Sequence, residues 1–514
     1  MHSRILNVAV CLSFAVFAPV LGFIPVSPDG GDQGATGTLT TLEESLLNWT
    51  TQNLENLSPD AEGVISTAVN LEGTEYELSL RPHSVRSESF TVQVQLENGE
   101  LVEVQPPAPV TYRGVVSGIP GSVAAASLMN GQLTAIIDLG DGEIWSVEPL
   151  SKYDEAAGAQ EHVVYRSLDL VPTEYYCGTD LIDVPENIEF QQQDRQDTEA
   201  GIGIIDEGSD YLQNDKVAEV AFDADYEFYQ ANGSSVANTI ADIENVLNGV
   251  DVIYQRDVEI CYNITHIIVR STSNDPYTGR DPSSLLQQFR VHWNQEQDSI
   301  ERDLAHLMTG RDLYGGVIGI AYMDGVCNMF GYSLSQSRYT WNFTYRIALS
   351  AHELGHNWNA SHCSGNTCKI MCPVLGGCSG IVTEFGPQAI DDITTYKETR
   401  NCIDDGCHTT LDLVEPEPGE AGEVSTFSVR GATPNGWVGF FYGLQTGSTD
   451  IPQCPGVELG LANAHLFGIS RADDDGIATF DINVPNYASG VTVLFQAGDA
   501  ATCELSEVVS YSFP

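Results

Sequence analysis

With 514 residues, 42% of them hydrophobic and 9% aromatic, the chain is a folded protein too long for one ordinary core; at about 150 residues per domain it holds roughly three. Its net charge of −51 sets 72 acidic against 21 basic residues, only Lys152, Lys216, Lys369 and Lys397 being lysines, and excludes nucleic acid and anionic membranes as natural partners. The acidity reads as a surface suited to salt or to solubility; Ca2+ is left open, but no D-x-[DN]-x-[DN]-G loop supports it.

The chain begins MHSRILNVAVCLSFAVFAPVLGF, a short basic start, an apolar run and small residues near Gly22. This is the pattern of a cleaved export signal; the run is too short, and too interrupted by Ser13 and Pro19, for a membrane anchor. The expected product is secreted and extracellular.

Residues from about 40 to 165 read as strands and turns, for example SFTVQVQLENGELVEV and QLTAIIDLGDGEIWSVEP, where period-two alternation is broken by NG and DG turns. This is a β-rich module. From about 180 to 214 the chain is acidic, Gln-rich and without periodicity, as expected of an exposed linker open to proteolysis.

A different pattern follows. VAEVAFDADYEFY predicts a strand, and Val236, Ile240, Ile243, Val246, Leu247 and Val250 fall on one helical face. ICYNITHIIVR and GGVIGIAYM predict strands, with a helix around SSLLQQFRVHW between them, so this region is an α/β sheet. From about 409 onward, short strands with Gly, Pro and Asn turns predict a small β-sandwich.

Setting Cys11 aside leaves eleven cysteines, an odd number. Cys261, Cys327, Cys363, Cys368, Cys372, Cys378, Cys402 and Cys407 form an even group, Cys454 and Cys503 a pair in the tail, and Cys177 stands alone in TEYYCGTD. A buried free thiol, an intermolecular bridge and a thiolate ligand are all open to it.

The most informative segment is IALSAHELGHNWNASHC. A helix here puts His352 and His356 at i and i+4 on one face, able to bind one metal, with Glu353 beside the first ligand as general base. A catalytic zinc keeps three protein ligands and one open position, and His362 supplies the third. His362 lies six residues past His356, so the chain must turn sharply, and Asn359 is suited to the left-handed conformation that such a turn needs. His83, His162, His266, His292, His306, His408 and His465 have no comparable spacing and read as ordinary residues.

HELGHNWNASH resembles the metzincin signature H-E-x-x-H-x-x-G-x-x-H, and CKIMCP resembles the Met-turn of that clan, which implies Met371 beneath a catalytic zinc. DLAHLMTGRDLYGGVIGIAYMDGVC resembles the adamalysin or reprolysin (ADAM-like) branch, and the analogy implies a Cys327–Cys402 disulfide. TYRGVVSGIPGSVAAASLMNGQLTAII resembles that branch's propeptide, with CGTD at its cysteine switch; this implies Cys177 as the inhibitory ligand of a zymogen. Two positions depart from the family: Asn359 stands for its Gly, and Cys363 for the Asp that usually follows the third His.

The organisation expected is a signal peptide at 1–22, a β-rich propeptide at 23–180, an acidic activation linker at 181–214, an α/β metzincin catalytic domain at 215–408 and a β-sandwich at 409–514. The function expected is a zinc metalloendopeptidase acting on extracellular proteins, inhibited by its own propeptide. A binding or adhesion protein with a non-catalytic zinc site, and a zinc amidase or toxin using the same motif, are the rival readings.

Overall fold

Alternating apolar residues dominate the first third of the chain, and in the computed structural model they build two different sheets. The structure describes residues 42–182, 216–405 and 411–513, less 61–62, 117–118, 120–121, 141, 415, 434–435, 453, 455–456, 474–475, 502, 504 and 507. The export signal at 1–22, nearly all of the linker at 181–214 and the junction near 408 lie outside the described residues.

After a short helix α1 (Leu42–Ser45) come β1 (Thr50–Asn53), β2 (Ile65–Leu71), β3 (Thr74–Pro82), β4 (Arg86–Gln95), β5 (Leu101–Val104), β6 (Thr111–Val116), β7 (Val123–Met129), β8 (Gln132–Asp138), β9 (Ile144–Pro149) and β10 (Glu161–Arg166). Eight of these pair antiparallel in the order β1-β10-β9-β8-β7-β6-β3-β2. One face shows the pattern expected of a half-covered sheet: β2 alternates strictly between buried and exposed residues, and Ile65, Val69, Leu78, Leu80, Ala124 and Ile137 fill a core of its own.

The β4–β5 hairpin departs from the sequence expectation. It does not join the upstream sheet but lies parallel on β13 (Ile260–Val269), pairing His266 with Thr91 and Val269 with Val94. The alternation in SFTVQVQLENGELVEV predicts a hairpin but not its partner; Val92 is fully buried with Val220, Ile264 and Ile267, and burial on that sheet decides the choice.

The second sheet has nine strands, ordered β11-β15-β16-β14-β12-β13-β4-β5, with a short strand at Asp404–Asp405 on β12. Its strands are β11 (Tyr176–Cys177), β12 (Lys216–Ala224), β13, β14 (Leu304–Met308), β15 (Val317–Ala321) and β16 (Tyr332–Ser335), alternating with helices α2 (Tyr226–Ala231), α3 (Val236–Val258), α4 (Pro282–Glu296), α5 (Phe343–Asn357) and α6 (Pro387–Lys397). Strands β4, β13, β12, β14 and β16 pair parallel, and the strands toward either edge, β15 with β11 on one side and β5 on the other, run the opposite way, a mixed α/β sheet. Residues of the upstream segment, from β11 and from the β4–β5 hairpin, therefore occupy both edges of this sheet.

Helix α3 is the seam. Its apolar face buries Ile240, Ile243, Val246, Leu247 and Val250, while its polar residues meet the upstream segment through ion pairs. Arg86 bonds Glu244 at 2.5 Å, Arg113 bonds Asp251 at 2.9 Å, and Arg256 bonds Asp138 at 2.8 Å. Beyond residue 411, antiparallel sheets of three, four and two strands enclose a separate core that includes Phe427, Phe440 and Phe495.

Candidate active site

Every residue of α5 is buried, the polar Arg346, His352, Glu353 and His356 included, so each of these needs a partner inside the protein. Asn342 caps it, accepting from Tyr345 N at 3.0 Å. Glu148, from upstream strand β9 and itself fully buried, accepts from Phe343 N at 3.0 Å and so satisfies another free donor of the first turn. Arg346 forks onto Asp242 of α3 at 2.8 and 2.7 Å, and Tyr254 donates to Ala351 O at 2.8 Å. Helix and seam are thereby fixed to one another.

The helix stops at Asn357, and Asn359 follows at φ 72°, in the left-handed region. Asn359 N donates to His356 O and Ala360 N to Gly355 O, both at 2.9 Å, and the reversal carries His362 back beside the helix. The Nε2 atoms of His352, His356 and His362 lie 3.1, 3.1 and 3.2 Å apart. Met371 is fully buried and lies near enough to the helix that a Cβ on Gly355 would stand 3.0 Å from its sulfur. The disulfides Cys363–Cys368 and Cys372–Cys378 bracket this loop, so the cysteine that replaces the family Asp after His362 is a bridge.

Cys177 arrives from the opposite side. Strand β11 lies parallel on β15; Cys177 N donates to Pro373 O at 2.9 Å and Gly178 N to Gly319 O at 2.8 Å. Its thiol, buried and unbridged, sits 3.5 Å from His356 Nε2, 3.3 Å from Glu353 Oε2 and 3.1 Å from Thr179 Oγ1. Cys327 pairs with Cys402 as the resemblance implies, Cys454 pairs with Cys503 in the tail, and Cys261 is also disulfide-bonded.

The donor chemistry tests whether zinc fits. His352 Nδ1 faces Ile370 O at 2.7 Å, His356 Nδ1 faces Ala360 O at 2.7 Å, and His362 Nδ1 faces Asp180 Oδ2 at 2.8 Å. Each Nδ1 thus holds its ring's proton, and three Nε2 lone pairs converge on one point, a repulsive arrangement without a cation. Tetrahedral zinc with nitrogens at ~2.05 Å and a thiolate at ~2.3 Å would set N···N near about 3.3 Å and S···N near about 3.5 Å. The observed spacings match both.

Burial pushes the His352 imidazole down to about 3 and His356 well below its usual value, with the neighbouring imidazoles adding to each, so both rings are neutral and free to ligate. Burial lifts the Glu353 carboxyl well above the carboxylate range; burial and the Glu353 carboxylate lift the Cys177 thiol. A divalent cation among them inverts that logic, because a coordinating thiol gives up its proton. Glu353 Oε1 is buried with no hydrogen-bond partner and is free for a water or substrate.

Residues 240–363, which include all three histidines and Glu353, match the family described as "Metallo-peptidase family M12B Reprolysin-like". This segment is thus similar to the reprolysin-like metallopeptidases. The chain is 26% identical over 268 residues to human "Disintegrin and metalloproteinase domain-containing protein 19", covering 52% of this chain and 27% of the relative. It is 22% identical over 351 residues to the Xenopus laevis "Disintegrin and metalloproteinase domain-containing protein 22", covering 66% and 36%. The chain thus spans about a third or less of the length of these relatives. The reprolysin-like match does not reach Cys177 or Met371.

The expectation of a secreted, extracellular product is corrected by these relatives, which belong to a membrane-anchored group. An apolar run at the N-terminus argues for export and says nothing of what holds the product afterwards. Among the described residues, no helix is long and apolar enough to cross a membrane.

Sequence reasoning passed over three residues of this site. Asp180 stands in the quoted CGTD and Gly319 in the quoted GGVIGIAYM, but neither spacing nor period marks a residue whose contact is made across the cleft. Thr179, whose hydroxyl accepts from Ala321 N at 3.1 Å and so aligns β11, is the third.

Proposed function

We propose that this chain is a zinc metalloendopeptidase made as a latent precursor, with His352, His356 and His362 as metal ligands, Glu353 as general base and Cys177 as the ligand that blocks the site. The observation that carries the reading is the convergence of three unprotonated Nε2 atoms with a buried thiol at tetrahedral spacing. Zinc, when bound, supplies Lewis acidity that activates water and polarises a peptide carbonyl.

Glu353 takes the proton of the attacking water through its unpartnered oxygen and returns it to the leaving amine. In the precursor the thiol of Cys177 stands where that water belongs, and β11 covers the edge of β15. A cut in the linker at 181–214 frees both, and the β15 edge can then hold an extended peptide by main-chain hydrogen bonds. On this reading 23–180 is the propeptide, 215–408 the metzincin catalytic domain around Met371, and 409–514 an appended β-sandwich.

Glu353→Gln tests the mechanism. The variant is expected to keep one zinc per chain while peptide hydrolysis falls by about 10²–10⁴-fold, the worth of a positioned general base. Wild-type turnover by Glu353→Gln would sink the assignment; zinc held without any turnover in the activated wild type would favour a non-catalytic binding protein.

A further inference from the structure

The three histidines are not oriented by the same part of the molecule. His352 and His356 donate Nδ1–H to backbone carbonyls of Ile370 and Ala360, both within the α/β unit and both retained after a cut in the linker. His362 donates to Asp180, three residues beyond Cys177 on the upstream side of the linker. The backbone near His362 is well held, by the Cys363–Cys368 bridge and by Cys363 N on Met371 O at 3.3 Å. Its ring is the least enclosed of the three, with a side chain 9% exposed where the other two histidines are at 0%.

We propose that Asp180 is a second latency element: a positioning residue through which the propeptide holds the His362 ring in its ligating tautomer and orientation, so that the precursor grips zinc more tightly than the mature enzyme does. This rests on the zinc-site reading above. A carboxylate behind a ligating imidazole fixes the ring and raises its basicity, and losing such a partner costs about 10–100-fold in metal affinity. Asp180 is 74% exposed, so water competes for the bond and the effect sits at the low end, about tenfold. A single cut releases Cys177 and Asp180 together: it opens the fourth coordination position and loosens the third ligand. The freed His362 ring gains room to shift as a substrate carbonyl approaches.

The test uses the full-length precursor as wild type, Asp180→Ala and Asp180→Asn, with zinc release to a chromogenic chelator followed over time. Total metal, the thermal midpoint and the reactivity of Cys177 toward a thiol reagent are measured alongside. The expected result is about tenfold faster release from Asp180→Ala and near wild-type release from Asp180→Asn, whose amide oxygen still accepts from Nδ1–H, with Cys177 shielded and the midpoint unchanged in both. Release from Asp180→Ala at the wild-type rate overturns the proposal. So does equally fast release from both variants, and so does fast release accompanied by a reactive Cys177, which would mean that β11 had left its edge. A wild-type precursor that holds no zinc would instead overturn the metal-site reading itself.

Discussion

Gly319 provides the sharpest test of how Glu353, the proposed general base, is housed. It lies on β15, and a Cβ built there would stand 2.2 Å from Glu353 Oε1, 2.6 Å from its Cδ and 2.8 Å from its Cγ. Against a normal carbon contact of about 3.5 Å, the overlap exceeds about 1 Å for the carboxylate oxygen. Strand β15 is pinned by β16 and α5 is buried throughout, so the side chain of Glu353 must give way. Gly319→Ala should therefore displace the base and leave the three imidazoles in place. Loss of a positioned base is worth about 10²–10⁴ in rate, or about 3–5 kcal/mol of barrier. The assay is kcat and KM on a fluorogenic peptide after linker cleavage, with metal content measured on the same samples. The expected outcome is kcat lowered by at least about 10²-fold, KM little changed and zinc retained. Activity within twofold of wild type with zinc intact would refute the claim that a bare backbone at 319 makes room for Glu353.

Arg113 bonds the buried carboxylate of Asp251 at 2.9 Å and Asn248 Oδ1 at 2.7 Å, and Arg113→Ala strands that carboxylate at the seam at a cost of about 3–5 kcal/mol. After linker cleavage the propeptide should therefore bind the catalytic unit at least about 10²-fold more weakly, read by titration calorimetry, and an unchanged Kd would refute the role of the pair. His266 meets Thr91 Oγ1 at 2.6 Å where the hairpin joins β13, and burial holds its imidazole down to about 4, with Asp223 opposing and Arg270 and Arg302 adding. The unfolded ring titrates at about 6.5, so its contribution is complete above that pH and is lost as pH falls from about 6.5 to 4, about 3 kcal/mol in all. Asp225, raised to about 7 by burial, works in the opposite sense over an overlapping range. His266→Gln should thus flatten the acid side of the precursor's thermal midpoint against pH; parallel curves for variant and wild type would remove His266 from the account.

The parts of this molecule that were legible in sequence are those set by local period or by backbone chemistry. His352 and His356 share a helix face because four residues make about one turn, and Asn359 was readable because few residues tolerate the left-handed region, which it occupies at φ 72°. The odd cysteine count singled out Cys177, which is buried and unbridged. Pairings between distant segments were not legible. The alternation that predicts β4 fits either sheet, and only burial of Val92 against Ile264 and Ile267 decides between them. Asp180 and Gly319 carry no pattern at all; each matters because of an atom more than thirty residues away, His362 Nδ1 in one case and Glu353 Oε1 in the other. Glu148 escaped for the same reason, since nothing in its own strand shows that it meets the first turn of α5.

On the latent-precursor reading proposed above, these long-range contacts divide latency into two unequal parts. Near the three histidines, the upstream segment is held by a two-residue strand, a few hydrogen bonds and an exposed carboxylate. Far from it, the same segment contributes a hairpin to the opposite sheet edge, buries Val92 in the main core, sets three ion pairs along α3 and satisfies Phe343 N with Glu148. Opening free energy follows buried apolar contact and protected hydrogen bonds, so the short strand opens at far lower cost than the hairpin. A cut in the linker then frees Cys177 from the site first, while the rest of the propeptide stays docked until its ion pairs and hairpin release. Activity should consequently appear before the propeptide departs, because the group that blocks the metal and the contacts that bind the propeptide lie at opposite edges of one sheet.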